Sequence, residues 1–358
     1  MLKEFFSILL LAFFTAILFY LISAYLPSNL ISPSHYIKSN NSNNYILNTT
    51  GTTNATNSSE NLSYPIPPPV KNYTPSNSTI AYALQLINND REKYGLMPVL
   101  LSNITSAQQH ADNMLNYDYF SHWDIYGMKP YMRYTLLGGK GAVQENVAYI
   151  FQSNGVNVTS ALKRMEYNMM YNDYNCCDNG HRYNILNPEH NQVSIGIAFN
   201  KTIVYFVEDF INNYISWVYN TPNMTGNIVT LKGEVADNYS LYDIEISYDP
   251  PVKNMTEAQL NNTSSYSYGN TVAGIGYHIQ NRIFYFTNIM TLNASTYIIQ
   301  NNKFDISFNM QPLIEKEGAG EYTLMLWLNS TTNSTSFLGA TYTFFINNRG
   351  MPYTPKNI

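Results

Sequence analysis

Hydrophobic and polar positions divide the chain into four stretches. Residues Phe5 to Leu26 read FFSILLLAFFTAILFYLISAYL, uncharged and apolar on every helical face. At about 1.5 Å per residue such a helix crosses a hydrocarbon core about 30 Å thick, so the pattern predicts a transmembrane helix within residues 1–27. A cleaved signal peptide is the rival reading, leaving a secreted chain. It calls for a shorter apolar region of about 7–15 residues and a small-residue cleavage motif. SAYLPS fits that motif poorly, and a retained signal anchor is preferred. Residues 28–77 lose all periodicity. They are rich in Asn, Ser, Thr and Pro and end in YPIPPPVKNYTPSNS. Such a segment buries too little apolar surface to offset its chain entropy, which predicts a disordered stalk, stiffened near Pro65 to Pro69.

Helical spacing starts abruptly at Ser78, where Ile80, Ala83, Leu84 and Ile87 share a face and Gly95 closes the helix. A second helix begins near Asn103, with Ala107, His110, Ala111, Met114 and Leu115 on one side. A third spans Pro130 to Leu137, and a fourth runs from Asn157 to Asn172 through Ala161, Leu162, Met165 and Met169. QVSIGIAF and IVYFVEDF then alternate as a hairpin across Asn200-Lys201. Helices followed by a hairpin predict helices packed on an antiparallel sheet over 78–218. Over 219–350 short strands recur: NIVTLKGEV, LYDIEISYD, TVAGIGYHI, RIFYFTNI, KFDISFNM, EYTLMLWL and TYTFFIN. Turn clusters separate them, which predicts an all-β sandwich. The fold class is α+β.

Composition changes this picture in three ways. Charged residues make up only 12% of 358, the net charge is -5 and no basic run exists, which excludes nucleic acid as a partner. Eighteen Asn-x-Ser/Thr sequons all follow the apolar run, seven of them between Asn40 and Asn77. They place the bulk of the chain outside the membrane, as a glycoprotein with its N-terminus inside. The two cysteines, Cys176 and Cys177, are adjacent, so no disulfide framework exists. They are open to a vicinal disulfide, a link to another chain, or free thiols.

Four polar positions carry candidate chemistry: His122 in YFSHWDIYG, Glu145 in QENVAY, an acid at Glu166 or Asp173, and His181 in NGHRYNIL. Two imidazoles and two carboxylates suit a divalent cation such as zinc. A His beside a Glu is equally a general-base pair. No HExxH occurs, and Ser121 lacks a G-x-S-x-G elbow. His110 reads as a structural core residue; His35, His190 and His278 read as surface or turn residues. Arg133 and Arg182 read as surface charges or as partners of cleft acids.

In order, REKYGLMPVL, SAQQHADNML, FSH, GMKPYMR, ENVAY, GHRYNIL, VSIGIAF and VYFVEDF make Thr79 to Phe210 resemble the CAP superfamily, the cysteine-rich secretory, antigen 5 and pathogenesis-related 1 proteins. The likeness is to the prokaryotic branch, since the eukaryotic cysteine pattern is absent. SYSYGNTVAG and GAGEYTLMLWL look like pieces of archaeal cell-surface modules. The resemblance implies an α-β-α sandwich around a cleft of two His and two acids, which binds zinc or another divalent ion in several members. His122 and His181 match the two histidines and Glu145 the first acid. The second acid departs from the pattern: the family's Glu follows a helix-four Trp by three residues, and no Trp stands here. Asp173, three after Met170, is the nearest register and Glu166 the alternative. The expected protein is therefore a membrane-anchored extracellular CAP domain. Its cleft metal, held by His122, Glu145, His181 and Asp173, serves binding of an extracellular ligand or surface protein. A metal-dependent hydrolase using Glu145 and His122 is the alternative.

Overall fold

The computed structural model describes residues 75–355, apart from 264, 280–281, 284–285, 287 and 333–334. The expected anchor and stalk, and His35, lie outside the described residues. Among the described residues no helix is long and apolar enough to cross a membrane.

Helix α1 (Asn77–Lys93) starts at Ser76, whose side chain accepts from the Thr79 N–H, and the chain turns away at Gly95, with φ +71°. It buries Ala83 and Ile87. Near its end the buried Arg91 donates to the carbonyls of Met97, Ile185, Asn187 and His190, fastening the helix to distant loops. A short strand β1 (Leu100–Leu101) precedes helices α2 (Ser106–Tyr117) and α3 (Pro130–Leu136). Strand β2 (Ala142–Phe151) leads to α4 (Val158–Tyr171), the brief turns α5 (Tyr174–Cys177) and α6 (Gly180–Ile185), and strands β3 (Gln192–Phe199) and β4 (Ile203–Asn212).

These strands form a sheet in the order β1-β3-β4-β2. Val193, Ile195 and Ile197 of β3 pack with α1 and α4, whereas Ala198, with Val207 of β4, packs on Ala107, Ala111 and Met114 of α2. Helices therefore cover both faces. Gly196 permits the close approach of α2: a Cβ there would overlap the Ala107 carbonyl.

Strand β2 was not anticipated. It pairs with β4 along its whole length and occupies the sheet edge. AVQENVAYIF hides its period because Glu145 and Asn146 put polar groups on both faces.

The chain enters a second sheet at β5 (Ile215–Trp217), which pairs with Gly233–Val235, three residues ahead of the expected boundary at 218. The strands that follow are β6 (Asn223–Thr225), β7 (Ile228–Val235), β8 (Tyr239–Asp249), β9 (Asn270–Gly276), β10 (His278–Ile279), β11 (Arg282–Ile283), β12 (Met290–Gln300), β13 (Lys303–Asn309), β14 (Gly320–Ser330), β15 (Ser336–Ile346) and β16 (Pro352–Tyr353). The expected all-β sandwich is corrected in two respects. Ten of the strands form one sheet, β16-β15-β14-β8-β9-β12-β13-β7-β5 with β6 also on β7, and β10 and β11 pair as a separate two-stranded sheet. The halves of the larger sheet join because β12 pairs with β9 over 290–293 and with β13 over 294–300. Two helices, α7 (Glu257–Asn261) and α8 (Gln311–Glu317), also interrupt the strands. Both halves feed one core that includes Leu231, Ile246, Ile306 and Leu324. Within RIFYFTNI, β11 takes Arg282 and Ile283, Phe286, Asn288 and Ile289 lie outside the strands, and the more polar MTLNASTYIIQ forms β12.

Candidate functional site: a pocket between two histidine–carboxylate pairs

The register of the edge strand sets the site. Glu145 stands opposite Asp209 of β4, and Asn146 opposite Glu208. Paired residues share a face, so Glu145 and Asp209 lie on the α2 side with Val147 and Val207, and Asn146 and Glu208 lie on the α4 side with Phe206 and Phe210.

On the α2 side, Glu145 Oε1 accepts from His122 Nδ1 at 2.9 Å and Oε2 from Arg133 Nη2 at 2.7 Å. Arg133 Nη1 also donates to the carbonyl oxygens of His122 and Met128, holding the His122 loop against α3. Ser106 Oγ donates to Asp209, and the buried His110 donates Nε2 to the Ser121 carbonyl, as its structural reading anticipated. Burial pushes the Glu145 carboxyl up to about 7, against the pull of Arg133. Burial, then the neighbouring Glu145 charge, pushes Asp209 up to about 8. Burial, then His181 and Arg133, lowers His122 to about 3. His122 is therefore neutral near pH 7, with its proton on Nδ1 and a lone pair on Nε2.

The second pair forms where α4 gives way to α6. Asp173 Oδ1 accepts from His181 Nδ1 at 2.6 Å, and Oδ2 from the Arg182 N–H at 3.1 Å. Both imidazoles line one pocket of about 530 Å³. Neither Nε2 has a hydrogen-bond partner among the described residues. The pocket floor is the edge strand, Val147 to Ile150, with Met165 and Met169 of α4 beside it.

Three features depart from the sequence reading. The four expected ligands do not converge. Among the described residues, the His, Cys, Asp and Glu side chains close enough to share an ion are Asp173, Cys176, Cys177 and His181. Glu145 and Asp173 each spend both oxygens on hydrogen bonds, so they orient imidazoles. Glu166, the alternative fourth acid, does not line the pocket. It is buried beneath and faces Glu208; burial and then Glu208 push its carboxyl well above the ordinary range. His190, expected at the surface, is 2% exposed and hydrogen-bonded to Asn212 and Gln144. Of the two arginines, Arg133 pairs with an acid, and Arg182 donates its side chain to the Met170 carbonyl.

The sequence reading missed one wall entirely. After β8 the chain crosses to the pocket, where Asn261 and Thr263 line it. Tyr266 Oη accepts from the Glu145 N–H at 2.9 Å, and its ring lies 5.0 Å from that of His122. Trp123 Nε1 donates to the Ser265 carbonyl, and Phe120 N to Asn261 Oδ1. Nothing local in YSYGN signals a contact with Glu145, 121 residues earlier. Cys176 and Cys177 also line the pocket, joined in a vicinal disulfide.

The donor set fits a divalent cation in part. Metal-binding histidines characteristically donate the second ring N–H to a carboxylate, which fixes the tautomer and leaves the other nitrogen to ligate. Both His122 and His181 have that arrangement. If a cation were held there, they would offer it two nitrogen ligands, and the remaining positions would fall to water or to a bound molecule.

A family model for the cysteine-rich secretory protein family, CAP, matches residues 84–210. No curated protein matches the chain. Two solved structures are similar in part. An extracellular protein containing an SCP domain from Bacillus anthracis aligns at 22% identity and TM-score 0.31, over 38% of this chain and 40% of that one. An outer surface protein from Borrelia burgdorferi aligns at 12% identity and TM-score 0.30, over 38% of this chain and 96% of that one. The chain thus spans less than half the length of the first of these.

Proposed function

We propose that this protein is a cell-surface binding protein. Its CAP-type pocket holds a divalent cation, zinc by the chemistry of its donors, on Nε2 of His122 and His181. An extracellular ligand or surface protein completes the coordination. The observation that supports this reading most is the pairing His122–Glu145 and His181–Asp173. Both imidazoles are held by Nδ1 and both line one pocket. The apolar run Phe5–Leu26 would anchor the protein in a membrane, and the sequon-rich stalk would hold the pocket outward as a glycosylated tether. The prokaryotic, archaeal look of the sequence belongs to the same reading.

Binding is favoured over hydrolysis because both Glu145 oxygens are engaged, one by Arg133 and one by His122. To take a proton from an attacking water, Glu145 would have to share or give up a contact that holds His122 or Arg133. The test is zinc titration by calorimetry of chelator-dialysed oxidised protein. Wild type is expected to bind, His122→Ala/His181→Ala to lose binding at unchanged fold, and Glu145→Gln to weaken it by about 10–100-fold. No binding by wild type, or unchanged binding by the double variant, overturns the reading.

A further inference from the structure

The pocket wall contains a second, latent site. Cys176 Sγ, Cys177 Sγ, one oxygen of Asp173 and one nitrogen of His181 all lie within 4.8 Å of one another. A tetrahedral zinc with bonds of about 2.0–2.3 Å needs ligand-to-ligand separations of roughly 3.3–3.8 Å. The cluster is thus close to the right size, and Cys176 Sγ already lies 3.5 Å from Asp173 Oδ1. At present the sulfurs are tied to each other. A disulfide offers no thiolate, and His181 Nδ1 is bonded to Asp173 instead.

We infer that reduction of the Cys176–Cys177 disulfide switches on a metal site of two thiolates, the Asp173 carboxylate and the His181 imidazole, selective for a thiophilic cation of the zinc class. The reductant is a dithiol. One of its thiolates attacks a sulfur of the pair, the Cys176–Cys177 bond breaks, and a mixed disulfide forms. The second thiol displaces that bond, so the reductant leaves as a disulfide and Cys176 and Cys177 each carry one of its two protons. On metal binding the two thiols release those protons to solvent and coordinate as thiolates. The cation takes the place of the His181–Asp173 hydrogen bond.

Access supports the scheme. Cys176 is exposed and Cys177 half-buried, and both line the open pocket, where a small dithiol reaches them. Soft thiolates prefer zinc-class cations, which separates this site from the two-imidazole one. The inference goes beyond the proposed function: it shares His181 with that reading but does not require His122 or any cation in the oxidised protein.

Cobalt(II) serves as the probe, because thiolate coordination gives it an intense sulfur-to-metal charge-transfer absorption that nitrogen and oxygen ligands lack. The full chain is titrated oxidised, and again after reduction by a phosphine, with two free thiols confirmed by thiol assay. The reduced protein is expected to take up one cobalt at the site with the charge-transfer band, and the oxidised protein to show no band. Cys176→Ser/Cys177→Ser abolishes the band, and circular dichroism establishes that the variant remains folded. Asp173→Asn and His181→Ala each weaken cobalt binding by the reduced protein by about tenfold or more, and circular dichroism establishes that they remain folded. The inference is overturned if the reduced protein shows no band, or if its affinity is the same in Asp173→Asn and His181→Ala as in wild type. Zinc binding by the oxidised protein reports separately on the proposed function, so either idea can fail alone.

Discussion

Replacing Asp249 with alanine tests how the second sheet is held against the pocket. At the end of β8 its carboxylate accepts from Lys129 Nζ at 2.6 Å and from Tyr131 Oη at 2.6 Å. Lys129 Nζ also donates to the Ser267 carbonyl at 2.8 Å and lies 5.0 Å over the Trp123 ring. Lys129 is 6% exposed and Asp249 is 7% exposed. At an effective dielectric of about 20, unit charges this close attract by about 6 kcal/mol. Desolvating the two ions costs several kcal/mol each, so the pair as a whole contributes little net stability. Removing one partner is a different matter. The ammonium stays buried with a carbonyl and a ring face, and Tyr131 loses its short acceptor. Asp249→Ala is therefore expected to destabilise the protein by about 3–5 kcal/mol, whereas Lys129→Met/Asp249→Leu stays near wild type or rises above it. Urea unfolding followed by tryptophan fluorescence reads this, since Trp123 sits at the contact and Trp217 and Trp327 lie in the second sheet region. Lys129→Met and Asp249→Leu, each made alone and together, close a thermodynamic cycle. A coupling energy below about 1 kcal/mol, or an Asp249→Ala protein as stable as wild type, would refute the argument.

Two further changes probe the site's supports. Tyr266→Phe leaves the buried Glu145 N–H without its acceptor; urea unfolding should show a loss of about 1–3 kcal/mol, and calorimetry a zinc affinity lower by about tenfold. Unchanged values in both measurements would show that the tyrosine is only packed there. Glu166→Gln tests the buried acid pair. Burial and Glu208 raise the Glu166 carboxyl above its ordinary value of 4.5. The folded chain therefore keeps a proton that the unfolded chain releases. Its contribution is full below about 4.5 and is lost as pH rises toward the raised folded value. The melting temperature of Glu166→Gln minus that of wild type should accordingly grow as pH rises through that window. A difference that is flat or shrinks contradicts the assignment.

How far the sequence reached depends on how local each signal is. The helices were legible because their apolar residues recur within one element: Ala83 and Ile87, or Leu162, Met165 and Met169, each mark a face by spacing alone. The β3–β4 hairpin was legible for the same reason. Strand β2 was not, since the residues that make it functional erase the alternation that marks a strand. Strand β12 was missed because it divides its length between two partners and carries a mixed surface. Motif context singles out His122, Glu145 and His181, and the register after Met170 singles out Asp173; the structure places these four in two hydrogen-bonded pairs. What those contexts could not supply was the division of labour among them.

That division is decided by contacts across large sequence separations. Arg133 and His122 each take one oxygen of Glu145, and the Arg182 N–H and His181 take those of Asp173. With the disulfide closed, these contacts make both acids supports that orient the two imidazoles. The region after β8 also belongs to the site: Asn261 and Thr263 line the pocket, and Tyr266 Oη accepts from the Glu145 N–H. A spacer would leave the His122–Glu145 pair to be held by its own domain alone. Here the Glu145 N–H is satisfied by a hydroxyl from the strand-rich region, and Lys129 and Tyr131 are bonded to that region's Asp249. The pocket is thus lined, and its Glu145 backbone satisfied, by residues of both regions. Whatever enters the pocket also meets a wall that the matched residues 84–210 do not contain.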